Sequence, residues 1–517
     1  MCGISGYISK KKLVRENAIK NTLGLMSRRG PDAQKYITSK FGEKELSLIH
    51  SRLSIIDITD RSDQPFVDGH LKLIFNGEIY NYKELKNELK DKYVFKTNSD
   101  TEVLIKCFRE YGERCVDHFV GMWAFAIWNE KTKELFLSRD NFGEKPLYYF
   151  LCDDGFFFGS EIKFIKSLCN KNFEINKDLI NKNLFLGYKS LNKQNQTFYK
   201  EIKTLENSTN ITLNLNLEVK FKKYWIPESR VDKNLNKEDI NEIFKQKIIE
   251  SLKFRLRSDV PLAFCLSGGV DSGSLSSIAS KILNRNINTF SIIDEDRRYN
   301  EEENIDSVTQ DLNCVSHKIR LGKKKDSFFD RMNDLVRYHD GPLATISYYV
   351  HSFLSEEIAK KGFKVSISGT GADEILTGYY DHNLLHLATL KTSKHYEENL
   401  KNWKKYILPN IRNPYLKNHE LYIKNPNDRS LVYEENFNVR AYATQNFKFL
   451  FEEEKYSSEL LRNRMLNELF HEVVPVILKH DDLNSMYYSV ENRSPFLDKN
   501  LLEFSLKIPP ELLISDG

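Results

Sequence analysis

The chain has 517 residues, 40% hydrophobic and 29% charged, a balance typical of soluble globular proteins with ample material for a core. Its 77 basic and 73 acidic groups leave a formal charge of +4, interspersed along the chain, which excludes a nucleic-acid footprint, and no apolar run approaches the roughly 20 residues of a membrane helix. The seven cysteines (Cys2, Cys107, Cys115, Cys152, Cys169, Cys265, Cys314) are odd in number and form no C-x-x-C pair, so neither a disulfide framework nor a zinc site is expected, and a reducing cytoplasm is the expected compartment.

At the start of the chain, cysteine follows the initiator in Met1-Cys2-Gly3-Ile4-Ser5-Gly6-Tyr7. Removal of one residue would leave a thiol and an α-amine on Cys2. An amine titrating at about 7.7–8.0 can take the proton of a thiol titrating near about 8.5, so Cys2 is a candidate nucleophile carrying its own base. A cysteine at position 2 also arises by chance. Gly3 allows close backbone approach, and the apolar alternation up to Ile8 reads as a strand. Lys10, Lys11 and Lys12 interrupt any signal-peptide core, so no secretory leader is expected.

Residues 1–190 alternate short apolar strands with turns, as in Leu71–Phe75 before Asn76-Gly77 and Met122–Trp128 after Gly121, which predicts a β-rich domain with a few helices. Taken singly, Arg28-Arg29-Gly30-Pro31-Asp32 is a surface turn, Asn76-Gly77 a hairpin turn and Asp100 a helix N-cap. Residues 191–240 are rich in Asn, Lys and Thr around a hairpin through Ile211 to Val219, and are the predicted linker between domains.

In residues 241–517, a short buried strand, Leu262–Leu266, leads through a glycine turn to a helical pattern from Ser274 to Leu283 and a strand Thr289–Ile293, a βαβ unit. A second helix-to-strand passage, Ser355–Lys360 and then Phe363–Ile367, delivers another glycine turn at Gly369 and Gly371. Both turns are expected at the carboxyl edge of one parallel sheet. In Ser267-Gly268-Gly269-Val270-Asp271-Ser272 the glycines free backbone amides to point inward, and the helix amino terminus adds positive potential: a phosphate cradle. It has neither the Gly-x-x-x-x-Gly-Lys spacing of a P-loop nor that of a dinucleotide fingerprint. Its serines and Asp271 suit a pyrophosphate with magnesium, hence cleavage between the α and β phosphates of ATP; the plain alternative is a tight turn that wants small residues. Ser368-Gly369-Thr370-Gly371-Ala372-Asp373-Glu374 adds amides and a second magnesium-reaching carboxylate, Asp373. The stretch from Leu384 to Lys455 is helical in propensity and carries no motif.

Together these segments resemble the glutamine-hydrolysing asparagine synthetases of the bacterial type, over residues 1–380 and again over 462–515. The resemblance implies an α+β N-terminal-nucleophile αββα sandwich, the class II glutamine amidotransferase fold, followed by an α/β parallel-sheet ATP pyrophosphatase domain with an added helical region. It implies that Cys2 attacks the side-chain amide of glutamine. Arg52, within His50-Ser51-Arg52-Leu53-Ser54-Ile55-Ile56-Asp57, would hold the α-carboxylate; Asn76 and the Gly77 amide would form the oxyanion hole, and Glu78 and Asp100 would bind the α-amine. For ATP it implies Leu266 and Ile292 against the nucleotide, Ser267, Gly268, Gly269, Asp271 and Ser272 around the pyrophosphate, and Ser368 and Gly369 at the second turn. Asp271 and Asp373 would hold Mg2+. Ser489–Asp498, preceded by Asp481 and Asp482, resembles a segment lining the acceptor side. The implied partners are glutamine, ATP and a carboxylate acceptor, with no nucleic acid and no membrane, and a homodimer is common in the family.

Two features depart from the family. Thr370 stands where the family carries an acidic residue, and the chain stops at Gly517, where the family continues with a basic, lysine-bearing segment. An interrupted reading frame, a different acceptor and a silent synthetase half each account for this. The expected reaction amidates aspartate to asparagine with release of AMP and pyrophosphate, ammonia crossing an internal tunnel. The Thr370 context resembles relatives that amidate sugar uronic acids for surface polysaccharides. A third reading is a catalytically silent amidotransferase-like interaction protein.

Overall fold

The computed structural model describes residues 2–11, 14–191, 193, 195–296, 299–323, 327–427 and 452–517. Twelve strands build the amino-terminal half: β1 (Gly3–Ser9), β2 (Ala33–Phe41), β3 (Lys44–Arg52), β4 (Phe66–Asp68), β5 (Leu71–Ile79), β6 (Gly121–Asn129), β7 (Glu134–Arg139), β8 (Tyr148–Cys152), β9 (Gly155–Gly159), β10 (Lys203–Thr204), β11 (Thr209–Asn214) and β12 (Val219–Lys223). They form two sheets, ordered β10-β8-β9-β1-β3-β2 and β12-β11-β7-β6-β5-β4.

Period-two alternation explains why these sheets stack. In β1, Ile4 and Ile8 enter the core between the sheets while Tyr7 faces outward under the helices Glu16–Met26 and Ile162–Cys169. In β6, Ala124, Ala126 and Trp128 meet the first sheet, and Trp123, Phe125 and Ile127 pack under the helices Tyr82–Leu89 and Asp100–Tyr111. The result is helix, sheet, sheet, helix, the αββα order expected.

Two expectations shift. Asn76-Gly77 is no hairpin turn: β5 runs straight through it, paired with β6 from Leu71↔Asn129 to Ile79↔Gly121. The hairpin within 191–240 does not stand as a free linker either, because β11 pairs with β7 and β10 with β8, completing both sheets of the sandwich.

The second half is built on β13 (Leu262–Cys265), β14 (Asn288–Ile293), β15 (Val315–Arg320), β16 (Val365–Ile367) and β17 (Glu491–Arg493), all parallel in the order β15-β14-β13-β16-β17. The chain winds outward from β13 to β15, then returns to the other side of β13. Strand order therefore reverses between β13 and β16, and a crevice opens at their carboxyl ends, the usual ligand position in such sheets. Helices Val270–Ser277, Glu302–Leu312 and Ser347–Lys360 connect the strands, the first continuing as a π-helical turn, Ile278–Ile282. Residues 380–427 fold into short helices around Leu384, Leu387, Trp403 and Tyr422; the remainder of the helical stretch, 428–451, lies outside the described residues. Among the described residues no helix is long and apolar enough to cross a membrane.

Candidate active site

Cys2 sits at the head of β1, 9% exposed. Its nitrogen donates to Asn76 Oδ1 at 3.1 Å, a bond from the first sheet to the second, and its Sγ lies 3.9 Å from the Leu53 carbonyl oxygen. Burial pushes the thiol up to about 11, so the group waits on a base. Asn76 is fully buried, and its Nδ2 has no hydrogen-bond partner among the described residues. An orphan donor of this kind is costly in a folded core, and beside a nucleophile it is what a developing oxyanion requires. Gly77 has φ +151°, and a Cβ there would lie 2.1 Å from the Met122 carbonyl oxygen, so only glycine lets β5 hug β6 at this point.

Glu78 and Asp100 lie on neighbouring elements. Asp100 opens the helix Asp100–Tyr111, but the N-cap is Ser99, whose side chain accepts from Thr101 N; Asp100 Oδ2 instead accepts the Ile79 amide at 3.0 Å. Burial lifts the Asp100 carboxyl to about 6. Glu78 is raised well above the ordinary carboxylate range by burial and by Glu491, while Arg493, 3.4 Å from its Oε1, opposes the shift. Its Oε2 is buried with no hydrogen-bond partner among the described residues, leaving one oxygen for a ligand. Arg52 also has partners within its own loop. Its Nη1 donates to Thr59 O at 2.6 Å and Asp63 Oδ1 at 2.8 Å, and its Nη2 to the Asp57 carbonyl, so a glutamine carboxylate would share the fork with this loop.

Arg29 went unassigned in the sequence because Arg28–Asp32 reads as a surface turn, yet it is fully buried. Its Nε donates to the Cys2 carbonyl at 3.1 Å, its Nη1 to Asp482 Oδ2 at 2.6 Å and Glu161 Oε1 at 3.0 Å, and its Nη2 to Asp482 Oδ1 at 3.1 Å. Burial works against this charge, but Asp482 and Glu161 hold it. One guanidinium thus ties the candidate nucleophile to the second half of the chain. Two arginines before Gly-Pro give no sequence signal that one of them points inward.

At the crevice of the parallel sheet, the Ser267 amide donates to Ser272 Oγ at 3.1 Å, the Gly269 amide to Ser267 Oγ at 3.2 Å, and Gly268 takes φ +86°. Leu266 is buried at the end of β13 and Ile292 is half-buried near the end of β14. The second turn abuts the first: a Cβ on Gly369 would lie 3.2 Å from Asp271 Cβ and 3.4 Å from the Ser272 nitrogen. Burial and then the charge of Asp271 lift the Asp373 carboxyl to about 6, and burial lifts Asp271 as well. A half-buried carboxylate raised by burial and by a second carboxylate beside it fits a hard divalent cation such as Mg2+. Thr370 presents a hydroxyl 3.2 Å from Ser368 Oγ.

The αββα sandwich and the parallel-sheet domain correspond to two classes of domain, a glutamine amidotransferase and an asparagine synthase. The family model for a glutamine amidotransferase domain matches residues 1–225, and that for asparagine synthase matches residues 244–517. The chain is 30% identical to asparagine synthetase (glutamine-hydrolyzing) 1 of Bacillus subtilis (strain 168), covering 100% of this chain and 82% of that protein. It is 28% identical to asparagine synthetases (glutamine-hydrolyzing) 2 and 3 of the same organism, covering 99% and 100% of this chain and 67% and 82% of theirs. The chain belongs to the asparagine synthase family, whose members use ATP as co-substrate.

Proposed function

We propose that this protein hydrolyses glutamine at Cys2 and uses the ammonia to convert aspartate to asparagine, with release of AMP and pyrophosphate. Removal of Met1 frees the Cys2 α-amine, which takes the thiol proton. The thiolate attacks the glutamine side-chain carbonyl, and Asn76 Nδ2 and the Gly77 amide stabilise the oxyanion. Collapse expels ammonia and leaves a glutamyl thioester, which water cleaves to glutamate. Glu78 and Asp100 receive the α-amine and Arg52 the α-carboxylate. In the second half Ser267, Gly268, Gly269, Ser272, Ser368 and Gly369 bind the phosphates and Leu266 and Ile292 contact the nucleotide; Asp271 and Asp373 would hold Mg2+, which would supply positive charge against the pyrophosphate. The observation that carries the reading is the Asn76 side chain, which accepts from the Cys2 nitrogen and keeps beside it a buried donor with no partner among the described residues.

The second reading, a sugar uronate as acceptor, is raised by Thr370, whose hydroxyl lies 3.2 Å from Ser368 Oγ. One assay separates the two: pyrophosphate and amide formation with glutamine, Mg2+ and ATP, supplied with aspartate or with nucleotide-sugar uronates. Aspartate should stimulate pyrophosphate release; stimulation by a uronate alone would replace the first acceptor with the second.

A further inference from the structure

Strand β17 is three residues long and lies at the edge of the parallel sheet, in register Val365↔Glu491, Ser366↔Asn492 and Ile367↔Arg493. Side chains along a strand alternate between faces, and here the two faces belong to two different sites. Asn492, half-buried, turns toward the nucleotide crevice: its Nδ2 donates to Ser368 Oγ at 3.1 Å and its Oδ1 accepts from Ser366 Oγ at 3.3 Å. Glu491 and Arg493, both fully buried, turn toward the amidotransferase sandwich. Arg493 Nε donates to Glu491 Oε1 at 2.7 Å, Nη1 donates to the carbonyls of Arg255 and Arg257 at 2.7 Å each, and Nη2 stands 3.4 Å from Glu78 Oε1. The backbone closes the link, because the Arg493 carbonyl accepts the Ser368 amide at 3.0 Å.

Ser368 is thus held on one side by the Arg493 carbonyl and on the other by the Asn492 side chain, while the Arg493 guanidinium reaches the carboxylate of the glutamine pocket. We propose that Asn492 and Arg493 are positioning residues that couple the two sites: nucleotide held at the Ser368 turn fixes β17, and β17 fixes Arg493 against Glu78 for the glutamine α-ammonium. The proposal rests on the two-site reading given above. Its physical basis is that close-packed interiors transmit displacement, and that this guanidinium is held at three further points besides Glu78. Burial and Glu491 drive Glu78 toward its neutral form and Arg493 opposes them, so a guanidinium drawn away from Glu78 leaves a poorer acceptor for an ammonium.

The test is titration of glutamine into the full-length Cys2→Ala protein, which binds without turnover, with and without Mg2+ and ATP. In that protein ATP should tighten glutamine binding about five-fold or more, and by linkage glutamine should tighten ATP by the same factor. In Cys2→Ala/Asn492→Ala the response should fall below about two-fold, with nucleotide-free glutamine binding within about two-fold of the Cys2→Ala value, a pattern that general destabilisation does not produce. Asn492→Asp keeps the shape and removes the donor to Ser368, and should lose the response equally. Absence of an ATP response in Cys2→Ala, or a response that survives in both Asn492 variants, overturns the coupling and leaves the functional reading standing. Failure of Cys2→Ala to bind glutamine at all overturns both.

Discussion

Asn76→Ala should separate catalysis from stability. In the parent, Asn76 Oδ1 satisfies the Cys2 nitrogen and Nδ2, in a fully buried position, has no partner among the described residues. Such an orphan costs about 1–3 kcal/mol. Truncation removes that orphan and creates another of similar size at the Cys2 nitrogen, so the two nearly cancel and stability should change by no more than about 2 kcal/mol, chiefly from lost packing. Transition-state stabilisation has no such compensation. Loss of one oxyanion donor costs about 2.7–4 kcal/mol, a fall in kcat of about 100- to 1000-fold. Glutamate release at saturating glutamine and urea unfolding measure the two quantities. Asn76→Asp, which keeps the acceptor and puts a negative charge where the donor was, should fall at least as far. A kcat within about three-fold of the parent, or a loss confined to KM, would refute the assignment of Nδ2 to the oxyanion.

Three further outcomes follow from the geometry. Asp373 titrates at about 6 in the folded protein against about 3.9 unfolded, so the stability it lends is present below about pH 4 and lost as pH rises through 6. Without metal, Asp373→Asn should therefore raise Tm at pH 8, leave it unchanged near pH 4, and lose the stabilisation that Mg2+ gives the parent; equal Tm shifts at both pH values would count against the carboxylate pair. Asp482→Ala takes the two-pronged Asp482 contact from the buried Arg29 and keeps the Glu161 one, which should cost about 3 kcal/mol in urea unfolding and depress glutamine hydrolysis through the Cys2 carbonyl contact. An unmoved urea midpoint would show that pair to be expendable. Gly77→Ala must part β5 from β6, because its Cβ would stand 2.1 Å from the Met122 oxygen, and should cost about 1–3 kcal/mol or more; parent-like unfolding would contradict the register.

The sandwich was legible wherever one face of a strand is apolar. In β6 every second residue from Trp123 to Ile127 meets helices, the intervening residues meet the other sheet, and both sets are apolar, so the run stands out as buried strand. The two phosphate turns were legible for a different reason: glycine and serine clusters between strand and helix are local chemistry. Where local and tertiary preferences conflict, the reading failed. Asn76-Gly77 has hairpin composition, but nine residues of pairing with β6 outweigh it. The charged triplet Glu491-Asn492-Arg493 gives no strand signal, because each of its faces serves polar groups rather than a core. The affiliation of the 209–223 hairpin was hidden by the lysine-rich outer strand β12, whose residues 220–223 are exposed.

That hairpin decides where the molecule can be cut. A fragment ending at residue 190 would strip β11 from β7, uncovering the cluster in which Leu135 and Leu137 pack with Ile211 and Leu213 and leaving six residues of β7 with a bare hydrogen-bonding edge. Such an edge invites a second chain. Tyr224, whose hydroxyl donates to the Arg139 carbonyl at 2.8 Å, closes the same corner. A stand-alone glutamine-hydrolysing piece would accordingly have to extend through Tyr224, and shorter versions should behave as sticky half-sandwiches, whatever the state of Cys2.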